Sequence, residues 1–142
     1  MIYSKTGLEL TEQFEGCRLV AYQDSKGVWT IGYGHTGPDV YLGQVITQEQ
    51  AQALLQQDVQ TAVACVNQNV RVPLTQNEFD ALVDFTFNEG TNAFKESTLL
   101  KDLNVGNYAA AAAQFSLWVN AGGHRLPGLV ERRQAEHDLF VR

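Results

Sequence analysis

Residues 14–36 read FEGCRLVAYQDSKGVWTIGYGHT, and the change of texture inside this stretch decides the fold. Phe14-Glu15-Gly16 closes a helical pattern. Leu10 and Phe14 stand four apart, Ser4 supplies an N-cap residue, and Gly16 is the residue type that ends a helix. From Arg18 onward Leu19, Ala21, Trp29, Ile31 and Tyr33 recur at alternate positions around Asp24-Ser25-Lys26-Gly27. A period of two about a Gly-bearing turn predicts a small antiparallel hairpin. Gly34 to Gly43, punctuated by Gly37-Pro38, reads as loop.

Beyond that loop the pattern is helical throughout. Thr47-Gln48-Glu49-Gln50 is a capping box opening a helix with Ala51, Leu54, Leu55, Ala62, Val63 and Val66 on one side. Pro73 interrupts the chain, and Thr75-Gln76-Asn77-Glu78 is a second capping box. Phe79, Leu82, Val83 and Phe87 then keep helical spacing to Gly90. Shorter helices are expected near Thr98–Leu103 and Tyr108–Trp118, a loop at Asn120–Gly123, and a last helix near Leu129–Phe140. Helix, small sheet, then helical bundle is an α+β, helix-dominated domain.

Composition narrows the function. At 142 residues and 44% hydrophobic, the chain is long enough for one domain with a core of its own. No apolar run approaches the roughly 18 residues of a membrane span, so stable membrane insertion is not expected. The net charge of −6 argues against nucleic acid and other polyanions. Arg125, Arg132 and Arg133 near the end offer at most a local basic face. Cys17 and Cys65 form no Cys-x-x-Cys motif, and His35, His124 and His137 are scattered, so no metal site is expected. Both thiols are expected to be free and buried, with a disulfide between them as the alternative.

One motif misleads. Gly32-Tyr33-Gly34-His35-Thr36-Gly37 matches a dinucleotide fingerprint, but Pro38 and a loop follow where a helix should start. The chemistry lies instead in carboxyls. Glu15 ends the first helix beside Phe14, where the helix terminus and an apolar neighbour both disfavour the anion, as suits a general acid. Asp24 lies in a polar turn that favours the ionised form, and Thr30 brings a hydroxyl on the return strand. One carboxyl from a helix end and one from a hairpin turn is an arrangement that glycoside hydrolysis can use. The spacing equally suits a surface acid and an ordinary turn former. Glu9, Glu12 and the pair Asp80 and Asp84 read as solvated, and Glu89 before Gly90 is a weaker acid candidate.

Glu15, Asp24 and Thr30, followed by Ile31-Gly32-Tyr33-Gly34-His35-Thr36, resemble the bacteriophage lysozymes (endolysins) of glycoside hydrolase family 24. Ile46-Thr47 with Gln57-Asp58-Val59, Phe87-Asn88 with Gly90, Ser97-Thr98-Leu99-Leu100, and Trp118 with Ala121 to Leu129 extend the resemblance over essentially the whole chain. It implies one lysozyme-like domain with two lobes, about 1–60 and 61–142, the first bearing a short sheet. The implied activity is hydrolysis of the β-1,4 bond between N-acetylmuramic acid and N-acetylglucosamine in peptidoglycan, with inversion and without a cofactor. Glu15 would protonate the leaving oxygen, while Asp24, helped by Thr30, positions water. Gly34, Thr36, Phe87, Asn88 and Thr98 match saccharide-contact positions. His35 paired with Asp58, and Arg125 directed at Glu15, would give structural and electrostatic support.

The resemblance also implies a monomer that waits in the host cytoplasm, depends on a pore-forming holin for export, and acts in the periplasm or cell wall. His124 and Glu131 stand where many relatives carry bases, and the acidic total departs from the basic habit of endolysins. The alternative is a catalytically inactive lysozyme-like peptidoglycan-binding or localisation module, against which the three intact positions argue. A lytic transglycosylase needs only one acid, so Asp24 argues for hydrolysis.

Overall fold

Helix α1 (Lys5–Glu15) ends at Gly16, whose φ of 67° turns the chain toward the sheet. Strands β1 (Arg18–Gln23), β2 (Trp29–Gly32) and β3 (His35–Thr36) form one antiparallel sheet in that order. Tyr22 pairs with Thr30 and Gln23 with Trp29, but the register slips between Arg18 and Tyr22. There Val20 bridges Val45 on the other edge, Ala21 N–H donates to the Gln44 carbonyl, and Ile46 N–H donates to that of Leu19. The bulge breaks the inward alternation, and Leu19 is left exposed.

Strand β3 lies where the sequence pattern reads loop. Gly32 and Gly34, with φ of 65° and 81°, reverse the chain so that His35 pairs with Ile31 and Thr36 with Thr30. Two residues are too few to show a period. Helix α2 (Gln48–Asp58) starts on the expected capping box, Thr47 and Gln50 bonding reciprocally. The expected long helix is interrupted at Val59 before α3 (Gln60–Asn69).

Helix α4 (Gln76–Glu89) starts on the second capping box, and everything from Phe79 to Thr86 is buried. Then come α5 (Thr91–Glu96), which the sequence reading lacks, α6 (Thr98–Asn104), α7 (Tyr108–Gln114) and a 3-10 turn at Phe115–Leu117. The expected loop at 120–123 is the tip of a small hairpin, β4 (Asn120–Ala121) and β5 (His124–Arg125). Gly122 and Gly123, with φ of 58° and 80°, make its two-residue turn. Helix α8 (Pro127–Val141) closes the chain with Pro at its start. The architecture is α+β and helix-dominated, with a short antiparallel sheet.

The computed structural model describes all 142 residues, which fall into two compact units. The smaller is Thr11–Gln60, with Ile31, Tyr33, Ala51 and Leu55 buried. The larger is Thr61–Arg142 together with Met1–Leu10, whereas the expected lobe boundary placed residues 1–10 with the sheet. Local chemistry explains the difference. The Ser4 hydroxyl and N–H both donate to the Asp80 carboxylate, Gln76 Nε2 donates to the Ile2 carbonyl at 2.9 Å, and the Met1 amine donates to Asn67 Oδ1 at 2.9 Å. Gly7 fits this end because a Cβ there would collide with the Tyr3 ring.

Phe85 is the hub of the larger unit's core. Its ring meets Phe94, Phe115 and Trp118 edge-on at centroid distances of 6.4, 5.6 and 5.2 Å. Helices α4 and α8 pack together through charge as well as through apolar groups. Arg132 Nε and Nη2 donate to Asp84 Oδ2 and Oδ1 at 2.9 and 2.8 Å. Asp80 and Asp84 are therefore fully buried, not solvated, and Arg132 and Arg133 are buried too, so the expected basic face loses two of its three members.

Candidate active site

Glu15 is the last residue of α1 and is half-buried. A Cβ built on Gly34 would lie 3.6 Å from Glu15 Oε2, so the turn after β2 brings bare backbone up to this carboxyl. Asp24 opens the hairpin turn. Its Oδ1 accepts from the N–H groups of Lys26 and Val28 at 2.8 and 2.9 Å, while its own N–H donates to the Val28 carbonyl. One carboxylate oxygen thus fixes the turn and holds the acid in place. Thr30 is buried on β2 between Tyr22 and Thr36, and its hydroxyl donates to the Val28 carbonyl at 2.9 Å. All three expected catalytic residues lie in the smaller unit, and Asp24 and Thr30 share Val28 as a bonding partner.

His35 makes the expected bond, Nδ1 to Asp58 Oδ2 at 2.8 Å, and a second that the sequence did not disclose. Its Nε2 reaches Asp39 Oδ2 at 2.9 Å. Burial pulls its pKa down, but the hydrogen bonds to Asp58 and Asp39 outweigh it and raise the pKa above its ordinary value. His35 correspondingly lowers the pKa of Asp39. The His35 ring joins β3, the loop after it and the end of α2. Spacing of four residues from His35 to Asp39 was the only available signal, and Gly37-Pro38 between them hid it.

Cys17 is exposed rather than buried, because it sits in the turn between α1 and β1. Its thiol donates to Gln48 Oε1 at 3.7 Å, and Gln48 Nε2 donates to the Tyr33 hydroxyl at 2.7 Å. Local desolvation pushes the Cys17 thiol up, with Glu12 adding to the effect. Cys65 is free and buried as expected.

The remaining candidates belong to the larger unit. Phe87 and Asn88 are half-buried at the end of α4, and Thr98 is exposed at the start of α6 behind its cap Ser97. Asn88 and Glu89 are tied to α8, since Arg133 donates from Nη2 to Asn88 Oδ1 at 2.6 Å and from Nη1 to Glu89 Oε1 at 2.7 Å. Arg133 also pairs with Glu136, which sequence reasoning missed because a mid-helix Glu reads as solvated. Burial and the adjacent Asp84 carboxylate push Glu136 well above the usual carboxylate range, against the pull of Arg133 and Arg132. Arg125 is exposed on β5 and lines a cavity of about 430 Å³ with Ser116, Arg133, Gln134 and His137. No group of three or more His, Cys, Asp or Glu side chains is arranged to hold a metal ion.

The chain is similar to known proteins over almost its whole length. The phage lysozyme family profile matches residues 12–136. An endolysin of Acyrthosiphon pisum secondary endosymbiont phage 1 is 51% identical, over 99% of this chain and 98% of its own length. The endolysin of Bacillus phage B103 is 46% identical over 99% of this chain, which spans about half of that relative (54%). Among solved structures, a point mutant of P22 lysozyme superposes with a TM-score of 0.94 at 44% identity, covering 100% of this chain and 99% of the other.

Proposed function

This chain belongs to the phage lysozyme family, and on that premise we propose that it is an endolysin that hydrolyses the muramyl β-1,4 bond of peptidoglycan by inversion. The observation that carries the reading is local to the smaller unit. A helix-terminal carboxyl, Glu15, is approached by the bare backbone of Gly34, while a second carboxyl, Asp24, is pinned by two N–H donors in the adjoining hairpin.

Glu15 acts as the general acid toward the leaving glycosidic oxygen. Asp24 orients and deprotonates the attacking water, and inversion follows because that water enters opposite the leaving group. Only one Asp24 oxygen is committed to the turn, which leaves Oδ2 for that task. Thr30 supplies a second polar contact for the water by rotating its hydroxyl from the Val28 carbonyl. Gly34 and Thr36, and separately Phe87, Asn88 and Thr98, are saccharide contacts, and no metal or cofactor takes part. The enzyme works as a monomer and reaches the wall from the host cytoplasm through a holin pore; no helix is long and apolar enough to cross a membrane.

Mass spectrometry and proton NMR of muropeptides from digested wall test the whole reading. Hydrolysis by inversion gives reducing muramic ends that appear first as the α-anomer. Anhydro-muramic ends would assign a transglycosylase, initial β-anomer would assign retention, and no release at all would leave the inactive binding module.

A further inference from the structure

We propose that Arg133 is a positioning residue that locks the Asn88 carboxamide with its NH2 group outward, making position 88 a donor-only contact for an acyl carbonyl oxygen such as that of a sugar N-acetyl group. This rests on the reading of Asn88 as a saccharide contact and adds a polarity to it.

A guanidinium has donors and no acceptor, so the amide group facing Arg133 must be the oxygen. The contact is short, Nη2 to Oδ1 at 2.6 Å, and charge-assisted hydrogen bonds of this kind are about twice as strong as neutral ones. Flipping the amide would set NH2 against a cation. Arg133 cannot turn away to permit it. Its side chain is fully buried, Nη1 is held by Glu89 at 2.7 Å, and Nη2 also reaches Glu136 Oε2 at 3.1 Å. Its Nε stands 2.7 Å from Glu136 Oε1 as an ion pair without hydrogen-bond alignment. The plane lies over the Phe85 ring, with Cζ 5.2 Å from the centroid. Two carboxyl groups and an aromatic therefore fix the fork, and the fork fixes the amide.

The Asn88 oxygen is the only part of that side chain bonded within the protein, and the residue is half-exposed. Its two N–H donors have no hydrogen-bond partner within the protein. A hydroxyl adapts to either end of an amide, whereas an acyl carbonyl only accepts. A locked donor end therefore favours an N-acetylated ring over its free-amine counterpart, whose ammonium brings donors against donors.

The test is Asn88→Asp, assayed on N-acetylated wall glycan and on the same glycan chemically de-N-acetylated. Aspartate keeps the shape and pairs with Arg133 more strongly, so a purely structural role is preserved while both donors are lost. The expected result is a KM about 3- to 10-fold higher on acetylated glycan, the worth of one hydrogen bond. The thermal midpoint should hold, kcat should change less than KM, and the preference for acetylated glycan should shrink by the same factor. Arg133→Lys, a point donor without the fork, should raise KM less, and the double variant should be no worse than Asn88→Asp alone. If Arg133→Lys lowers the thermal midpoint sharply, Asn88→Asp decides alone. An unchanged KM in a folded, active Asn88→Asp protein, or an equal loss on both glycans, overturns the proposal. A wild-type protein that releases no reducing ends overturns the muramidase reading instead.

Discussion

Replacing Arg132 by Met removes the guanidinium from a bidentate pair with Asp84 while keeping most of the side chain's volume. The two side chains are 5% and 0% exposed, with bonds of 2.9 and 2.8 Å. The surviving Asp84 carboxylate would stay buried beside Glu136, an acid already driven toward its protonated form. Stranding one member of a buried pair costs about 3–5 kcal/mol, far above the value of a surface pair. For a chain of this length each kcal/mol moves the midpoint by roughly 3 °C, so the variant should melt about 9–15 °C lower at neutral pH. Urea unfolding followed by circular dichroism would measure the loss directly. The deficit should also narrow in acid. Without the guanidinium, a buried Asp84 carboxylate loses the charge that favours its ionised form, so protonation costs the variant less than wild type as pH falls. Pairing Arg132→Met with Asp84→Leu should recover most of the loss, because an apolar pair needs no partner charge. A loss below about 1 kcal/mol, with no narrowing in acid, would show that Asp84 reaches water and that the argument from burial is wrong.

Glu15→Gln keeps the shape of the acid without a transferable proton and should lower turnover at least ~100-fold, with binding to wall fragments retained; wild-type-like lysis by the folded variant would remove Glu15 from its role. His35 should titrate above the ordinary histidine value in an NMR pH series, with Asp39 below the ordinary aspartate value. A raised imidazole pKa gives stability that is full below the unfolded value and lost as pH climbs through the folded one. The Asp39 contribution runs oppositely, present above its unfolded value and lost as pH falls through its folded one. Stability from this clamp should thus peak between the two ranges, and a His35 titration at or below the ordinary value would contradict the paired geometry. A thiol reagent should label Cys17 alone in the native protein and Cys65 only after unfolding; two fast labels would refute the burial of Cys65.

The parts of the fold written in neighbouring residues were legible. Both capping boxes, the Gly16 stop and the Asp24 turn use partners within a few positions, and each formed as read. Glu15, Asp24 and Thr30 could be read together as a candidate nucleus for the same reason, since all three lie on one helix end and the hairpin that follows it. Strand β3 and helix α5 were not, since each is too short for a period and is set by glycines on its flanks. The larger misreading concerned charge. Asp84 finds Arg132 48 positions away and Asp80 finds Ser4 76 positions away, so each looked like a surface acid in its own helix. Periodicity counts a charged residue as outward-facing, and only the third dimension supplies the partner that lets it turn inward. The Arg133 fork on Asn88 was hidden in the same way, across 45 positions.

The larger unit is assembled from both ends of the chain, and this sets an order on its birth at the ribosome. Residues 11–60 hold every segment of the smaller unit, but Ser4 must wait for Asp80, and Asp84 for Arg132 in α8. Until Arg132 has been made, α4 carries a buried-type acid without the guanidinium that meets it. A chain interrupted before Arg132 therefore leaves α4 without the partner that closes this unit, and a unit left open in this way is a substrate for proteolysis.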